Sequence, residues 1–252
     1  VIPFVKANAC GNDFLIIEEE FAGSDRAGIA RKLCDRHFGI GADGVEWVDA
    51  HGETVDAILS NADGSIAEIS GNGTRCVAAW LASQNKFEQV KVTTAVGEKL
   101  CRILSRTGNS FQVETDMGTP VLAPATVGNY SGMSVSIGNP HFVIFVDAFP
   151  NDWIDIGQQL SADAQFKEGC NVEFVRIAAP GAIEFRIYER GAGPTLSSGT
   201  GSCAAAVAAI AQHTMPRDLR VIAPGGEQRV RWQRELTLTG SAELVARGEA
   251  FL

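Results

Sequence analysis

Ser70-Gly71-Asn72-Gly73-Thr74-Arg75-Cys76-Val77-Ala78-Ala79-Trp80-Leu81-Ala82 and Ser198-Gly199-Thr200-Gly201-Ser202-Cys203-Ala204-Ala205-Ala206-Val207-Ala208-Ala209-Ile210-Ala211 are two versions of one string. In each, a serine and a Gly-x-Gly turn open a run of small apolar residues with no polar face. A helix that is apolar all round has to be enclosed, and small side chains suit one that strands approach from several sides. The string therefore predicts one buried helix per copy, inside a curved sheet. The turn before each helix also sets backbone N–H groups and the positive end of the helix dipole at a loop, a setting suited to an anion such as a carboxylate. Taken singly, each turn is equally well read as a bend that needs glycine.

Two further matches keep the spacing. Gly11-Asn12 opens Phe14-Leu15-Ile16-Ile17 as Gly138-Asn139 opens Phe142-Val143-Ile144-Phe145-Val146, and Gly97-Glu98 answers Gly226-Glu227. Three ordered matches at nearly one separation argue for an internal duplication. The halves are read as residues 1–118 and 119–252, with Gly118-Thr119-Pro120 and the stretch Pro124 to Gly132 as a linker zone. Runs rich in Val, Ile, Phe and Thr between Gly, Asn and Asp turns predict strands at 14–17, 90–94, 135–137, 142–146, 183–188 and 235–239. Ser24-Asp25 caps a predicted helix from Arg26 to His37, and Asp152 to Leu160 predicts its counterpart. The fold class expected is α+β: two homologous domains, each a mixed, mainly antiparallel sheet wrapped round a central buried helix.

Composition narrows the function. With 252 residues, 45% hydrophobic and 20% charged, the chain has ample material for a core. Its 21 Lys and Arg against 30 Asp and Glu give a formal charge of -9, which repels phosphate backbones and anionic membranes, so neither nucleic acid nor membrane is expected as a partner. No apolar run approaches the roughly 18 residues of a membrane helix. Val1 to Asn8 lack the features of a secretory signal, so a cytoplasmic location is expected. The six cysteines show neither a disulfide framework nor zinc spacing, and no metal is expected. Gly39-Ile40-Gly41-Ala42-Asp43-Gly44 and Gly199 to Ala204 have the spacing of a dinucleotide fingerprint. The first, however, follows a helix and enters a strand, and the second lacks its acidic partner, so no cofactor is expected.

Six strings taken in order resemble one family. They are Lys6 to Phe14; Asp35-Arg36-His37 with Gly39 to Gly44; Asn61-Ala62-Asp63-Gly64-Ser65; Ser70 to Cys76; Gly138-Asn139-Pro140-His141; and Glu189 to Gly193 with Ser198 to Gly201. Together they resemble the diaminopimelate epimerase family over essentially the whole chain. The resemblance implies an active site in the cleft between two similar domains, and cofactor-independent inversion of an amino acid's alpha carbon, converting LL- to meso-diaminopimelate for lysine and cell-wall synthesis. It assigns Asn12, Asn61, Asn139, Asn171, Glu189 and Arg190 to the substrate's charged and amide-matched groups. Gly71, Asn72, Gly199 and Thr200 fall around the reacting carboxylate, and His141 is read either as orienting its neighbours or as touching substrate. In the family the two acid/base groups are cysteines immediately before the Gly-x-Gly turns; here Ser70 and Ser198 stand at those catalytic positions.

Inverting a stereocentre needs a base on one face and an acid on the other, which a duplicated chain can supply. A thiol titrates near neutral pH at a helix N-terminus, whereas a serine hydroxyl needs a dedicated base. Cys76 and Cys203 lie well inside the apolar helices and are poor substitutes. Three readings stay open: a diaminopimelate epimerase; a related isomerase or racemase of another amino or unsaturated acid; and a noncatalytic amino-acid-binding homologue. The partner expected is a small-molecule amino acid substrate, and a homodimer is left open.

Overall fold

The computed structural model describes residues 1–251. By its internal contacts the chain divides into two units, Val1–Thr115 together with the residues from Thr239 onward, and Asp116–Leu238. The first carries β1 (Ile2–Ala9), β2 (Asn12–Glu18), α1 (Arg26–Cys34), β3 (Gly44–His51), β4 (Thr54–Asn61), β5 (Ile66–Ala67), α2 (Gly71–Asn85), β6 (Gln89–Thr94), β7 (Gly97–Thr107) and most of β8 (Ser110–Gly118). The second carries β9 (Val121–Val127), β10 (Tyr130–Ser136), β11 (Pro140–Phe145), α3 (Trp153–Ser161), β12 (Asn171–Ala179), β13 (Ala182–Glu189), β14 (Gly193–Thr195), α4 (Gly199–His213), β15 (Asp218–Ala223) and β16 (Gly226–Trp232). A last strand, β17 (Leu236–Ala250), begins in the second unit and ends in the first.

The fold is α+β, with mixed and largely antiparallel pairing. In the first unit β2 runs parallel to β3 and β4 to β6; in the second β11 runs parallel to β12 and β13 to β15. Parallel neighbours need a crossover, and α1, α2, α3 and α4 supply one for each pair in turn. The antiparallel pairs β1–β2, β3–β4, β4–β5 and β6–β7 recur as β10–β11, β12–β13, β13–β14 and β15–β16.

α2 touches β1, β2, β3, β4, β6 and β7, and α4 touches β10, β11, β12, β13, β15 and β16. That surrounding is why neither sequence needs a polar face: Gly71 to Ala82 and Gly199 to Ala209 are buried without a break. The Phe14-Leu15-Ile16-Ile17 run alternates across its strand. Phe14 and Ile16 join the α2 core, and Leu15 and Ile17 join a second core beneath α1 with Leu33 and Trp47.

Three expectations from the sequence need correction. α1 ends at Cys34 rather than His37, because Asp35 turns its carboxylate onto the N–H groups of His37 and Phe38, both at 2.7 Å, and so competes with helical pairing. The Pro124 to Gly132 stretch is no linker: it belongs to the β9–β10 hairpin, with Pro124 opposite Met133. The final residues pair with β1, Ile2 facing Ala250 and Phe4 facing Gly248, so they group with the first unit although the sequence reading gave all of 119–252 to the second half. No described helix is long and apolar enough to cross a membrane.

Candidate active site

Ser70 caps α2. Its extended backbone turns the side chain inward, where Oγ accepts the Gly73 N–H at 3.0 Å, and its carbonyl takes the N–H and the hydroxyl of Thr74, both at 2.8 Å. Behind the cap lies a chain of polar contacts. Arg75, wholly buried, donates to the Gly71 carbonyl at 3.1 Å and to Asn72 Oδ1 at 2.6 Å; Asn72 Nδ2 donates to Asn12 Oδ1 at 3.3 Å; and Asn12 Nδ2 donates to Asp43 at 2.7 Å. Arg36 then bridges Asp43 at 2.7 Å and Asp13 at 2.8 Å, and Lys6 reaches Asp13 at 2.9 Å. Burial alone would raise the Asp13 pKa, but the hydrogen bonds from Arg36 and Lys6 outweigh it and hold the carboxyl below its ordinary range.

Ser198 caps α4 in the same way, accepting the Gly201 N–H at 3.2 Å. Its hydroxyl also donates to Glu189, whose carboxylate accepts from Thr195 Oγ1 at 2.5 Å. Burial of that carboxyl raises its pKa against both hydrogen bonds. A second line of contacts leads away from the cap: Ser198 Oγ is 3.4 Å from Thr200 Oγ1, which accepts from Asn139 Nδ2 at 3.3 Å. Asn139 Oδ1 meets His141 Nε2 at 3.0 Å, and His141 Nδ1 meets Glu173 Oε1 at 2.6 Å.

Each helix start rests on a buried acid from the third residue of a parallel strand, Glu46 of β3 and Glu173 of β12. These acids explain the second glycine of each turn. A Cβ on Gly73 would strike Glu46 Oε1, and one on Gly201 would lie 2.6 Å from Ile187 Cδ1 and 3.0 Å from Glu173 Oε1. Burial pushes the Glu46 carboxyl up to about 8. The Cys76 thiol, fully buried inside α2, is also pushed well above the thiol range, so it makes a poor acid/base group.

Within the first unit the structure thus joins Asn12, Ser70, Gly71 and Asn72, while Asn61, at the end of β4, turns its amide to Ser65 at 3.0 Å. Within the second it joins Asn139, Ser198, Thr200 and Glu189, with Gly199 in the same turn. Asn171 accepts the Arg190 backbone N–H at 2.9 Å. His141 is enclosed and bonded at both nitrogens, the orienting arrangement of the two considered. Reading from sequence missed Asp43, Arg75, Glu46 and Glu173. Two of these carried a signal: an acid breaks the apolar run at the same place in Val45-Glu46-Trp47-Val48 and Val172-Glu173-Phe174-Val175. Among the described residues no group of three or more His, Cys, Asp or Glu is placed to hold a metal ion.

The profile of the family described as diaminopimelate epimerase matches residues 4–123 and 133–250. The diaminopimelate epimerase of Pelotomaculum thermopropionicum is 36% identical, the alignment covering 98% of each chain, and that of Corynebacterium glutamicum is 38% identical at the same coverage. Among solved structures, a probable proline racemase from Agrobacterium radiobacter shares the fold with a TM-score of 0.78 over 100% of this chain and 93% of that one, at 16% identity. The chain belongs to the diaminopimelate epimerase family and is an isomerase of that type.

Proposed function

We propose that the protein interconverts LL- and meso-diaminopimelate by moving the alpha proton from one face of the carbon to the other, with no cofactor. Ser70 and Ser198 are assigned as its two acid/base groups. The observation that carries this reading is the Ser198–Glu189 contact: a hydroxyl at a helix N-terminus donating to a carboxylate whose proton affinity is raised. Glu189 is thereby suited to take the Ser198 proton and return it, which a serine in the place of a thiol requires.

The substrate carboxylate is assigned to the first-turn N–H groups of Gly71, Asn72, Gly199 and Thr200, where charge develops as the proton leaves. The Asn72 side chain is fully enclosed against Asn12 and Arg75, so its assigned contribution is the backbone N–H. The buried Arg75 guanidinium adds positive potential at the start of α2. Asn61, Asn171 and Arg190 are assigned to the distal groups, with Asn12 and Asn139 as braces. The matched order of elements in the two units supports descent from one duplicated domain.

The test is alpha-proton exchange of LL-diaminopimelate in deuterated water, read by mass spectrometry and chiral separation. The unmodified protein should take up deuterium and equilibrate the two isomers, and Ser70→Ala or Ser198→Ala should lower the rate on the order of 10²–10⁴-fold. An unmodified chain that binds the amino acid but never exchanges its alpha proton would overturn the catalytic reading in favour of a binding protein. Exchange restored only by the double change to cysteine would mean a scaffold whose acid/base pair is missing.

A further inference from the structure

We infer that Glu46 is the proton relay behind Ser70, a carboxyl beneath the start of α2 that trades a proton with the Ser70 hydroxyl across a water-sized cavity. The inference rests on the epimerase reading and deepens it at the serine for which that reading names no base.

The two units differ at the positions that matter. Glu189 is the last residue of β13; the last residue of β4, the matching strand, is Asn61. Ser70 therefore has no carboxylate from the place that serves Ser198. A second difference concerns the buried acids. In the second unit His141, opposite Asn171 at the start of the β11–β12 pairing, engages Glu173. In the first unit Phe14 stands opposite Gly44 at the start of the β2–β3 pairing, so that position offers Glu46 no imidazole.

Glu46 and Ser70 flank one glycine. A Cβ on Gly73 would strike Glu46 Oε1 and would lie 3.2 Å from Ser70 Cβ. Both residues line a cavity of about 10 Å³, together with Thr74, Glu68 and the apolar Leu59 and Val92. That volume is about the smallest that holds one water, and Glu46, Ser70 and Thr74 are the residues among its lining that could hold one there. The raised proton affinity of Glu46, set by burial, lets it change protonation near neutral pH. The titratable groups around it are Glu68, on the cavity wall, and the buried Cys76 thiol of α2, with which it interacts electrostatically.

The protons balance. As Ser70 takes the alpha proton, its own hydroxyl proton passes through the water to the Glu46 carboxylate, so Ser70 stays a hydroxyl and Glu46 becomes an acid. The C–H electron pair stays on the substrate. Ser198 then gives its proton to the opposite face and is refilled from protonated Glu189, which becomes a carboxylate. Glu46 is thus a positioning and relay group, and Ser70 is the residue that meets substrate.

The test pairs Glu46→Gln with Ser70→Cys. In the unmodified background Glu46→Gln should slow alpha-proton exchange by roughly 10²–10⁴-fold. In the Ser70→Cys background, where a thiol ionises unaided, it should cost no more than about threefold, a non-additivity that a merely structural acid would not show. Equal losses in both backgrounds would overturn the relay while leaving the epimerase reading intact. A readout independent of turnover is the titration of the thiol in Ser70→Cys, followed by alkylation mapped to position 70. Adding Glu46→Gln should lower that thiol's pKa by about one unit or more, because a neighbouring carboxylate disfavours thiolate, and Glu68→Gln, which removes a less buried carboxylate from the same wall, should lower it less. An unchanged pKa with Glu46→Gln would overturn the relay even in a chain without turnover, the outcome that separately defeats the epimerase reading.

Discussion

His141 Nδ1 stands 2.6 Å from Glu173 Oε1, and neither side chain reaches solvent. Burial raises the Glu173 pKa more than the imidazole lowers it, and Glu173 Oε2 has no hydrogen-bond partner. A buried carboxylate with one bare oxygen is costly, which favours the protonated form of Glu173, while His141 Nε2–H donates to Asn139 Oδ1. Glu173→Gln, which can still donate to the ring, should then cost under about 1.5 kcal/mol in urea unfolding, and Glu173→Ala about 3 kcal/mol. Similar large losses for both would show that the negative charge itself is needed.

Glu46 makes stability depend on pH in a defined direction. Its folded pKa lies above the unfolded one, so the folded state binds the extra proton between the two values. Its contribution is complete below the unfolded value and is lost as pH rises toward about 8. Each unit of that interval is worth about 1.4 kcal/mol. Glu46→Gln should therefore gain on the unmodified protein steadily from pH 5 to pH 8 in parallel denaturant titrations. Parallel stability curves would refute the shift.

Asp13 acts in the opposite sense. Its folded pKa is depressed, so its contribution is present above the unfolded value and is lost as acid titrates the carboxyl away from Arg36 and Lys6. Asp13→Asn should cost about 1–2 kcal/mol at pH 7 and almost nothing near pH 2. A loss that persists undiminished in acid would mean that the geometry of the site, not its charge, is what matters.

The caps separate folding from chemistry. Asparagine caps a helix about as well as serine, whereas alanine costs roughly 1 kcal/mol. Ser70→Asn should keep the stability of the unmodified protein and still lose proton exchange to the same degree as Ser70→Ala. Retained exchange in the asparagine variant would remove the Ser70 hydroxyl from the mechanism.

Much of this was legible because repetition amplifies weak signals. Gly-Asn-Gly alone is a turn; Gly-Asn-Gly and Gly-Thr-Gly before two all-apolar helices are an architecture. The same repetition hides what differs between copies. Asn61 and Glu189, or Phe14 and His141, look like ordinary residues until the strand register shows that they occupy equivalent places. The end of α1 was misread because side-chain competition by Asp35 has no periodic signature. The partners of β17 were not legible at all, since a hydrogen-bonded ladder between strands so far apart in sequence leaves no local trace.

That last ladder bears on how the chain is made. Val5 pairs with Arg247 and Asn8 with Glu243, so β1 has to wait for a strand that is made long after it. Contacts of such sequence separation form slowly, and until they form β1 presents an open edge to whatever is nearby. The second unit, whose residues are contiguous, has no such delay. Folding during synthesis is thereby biased to finish at the unit that was begun first.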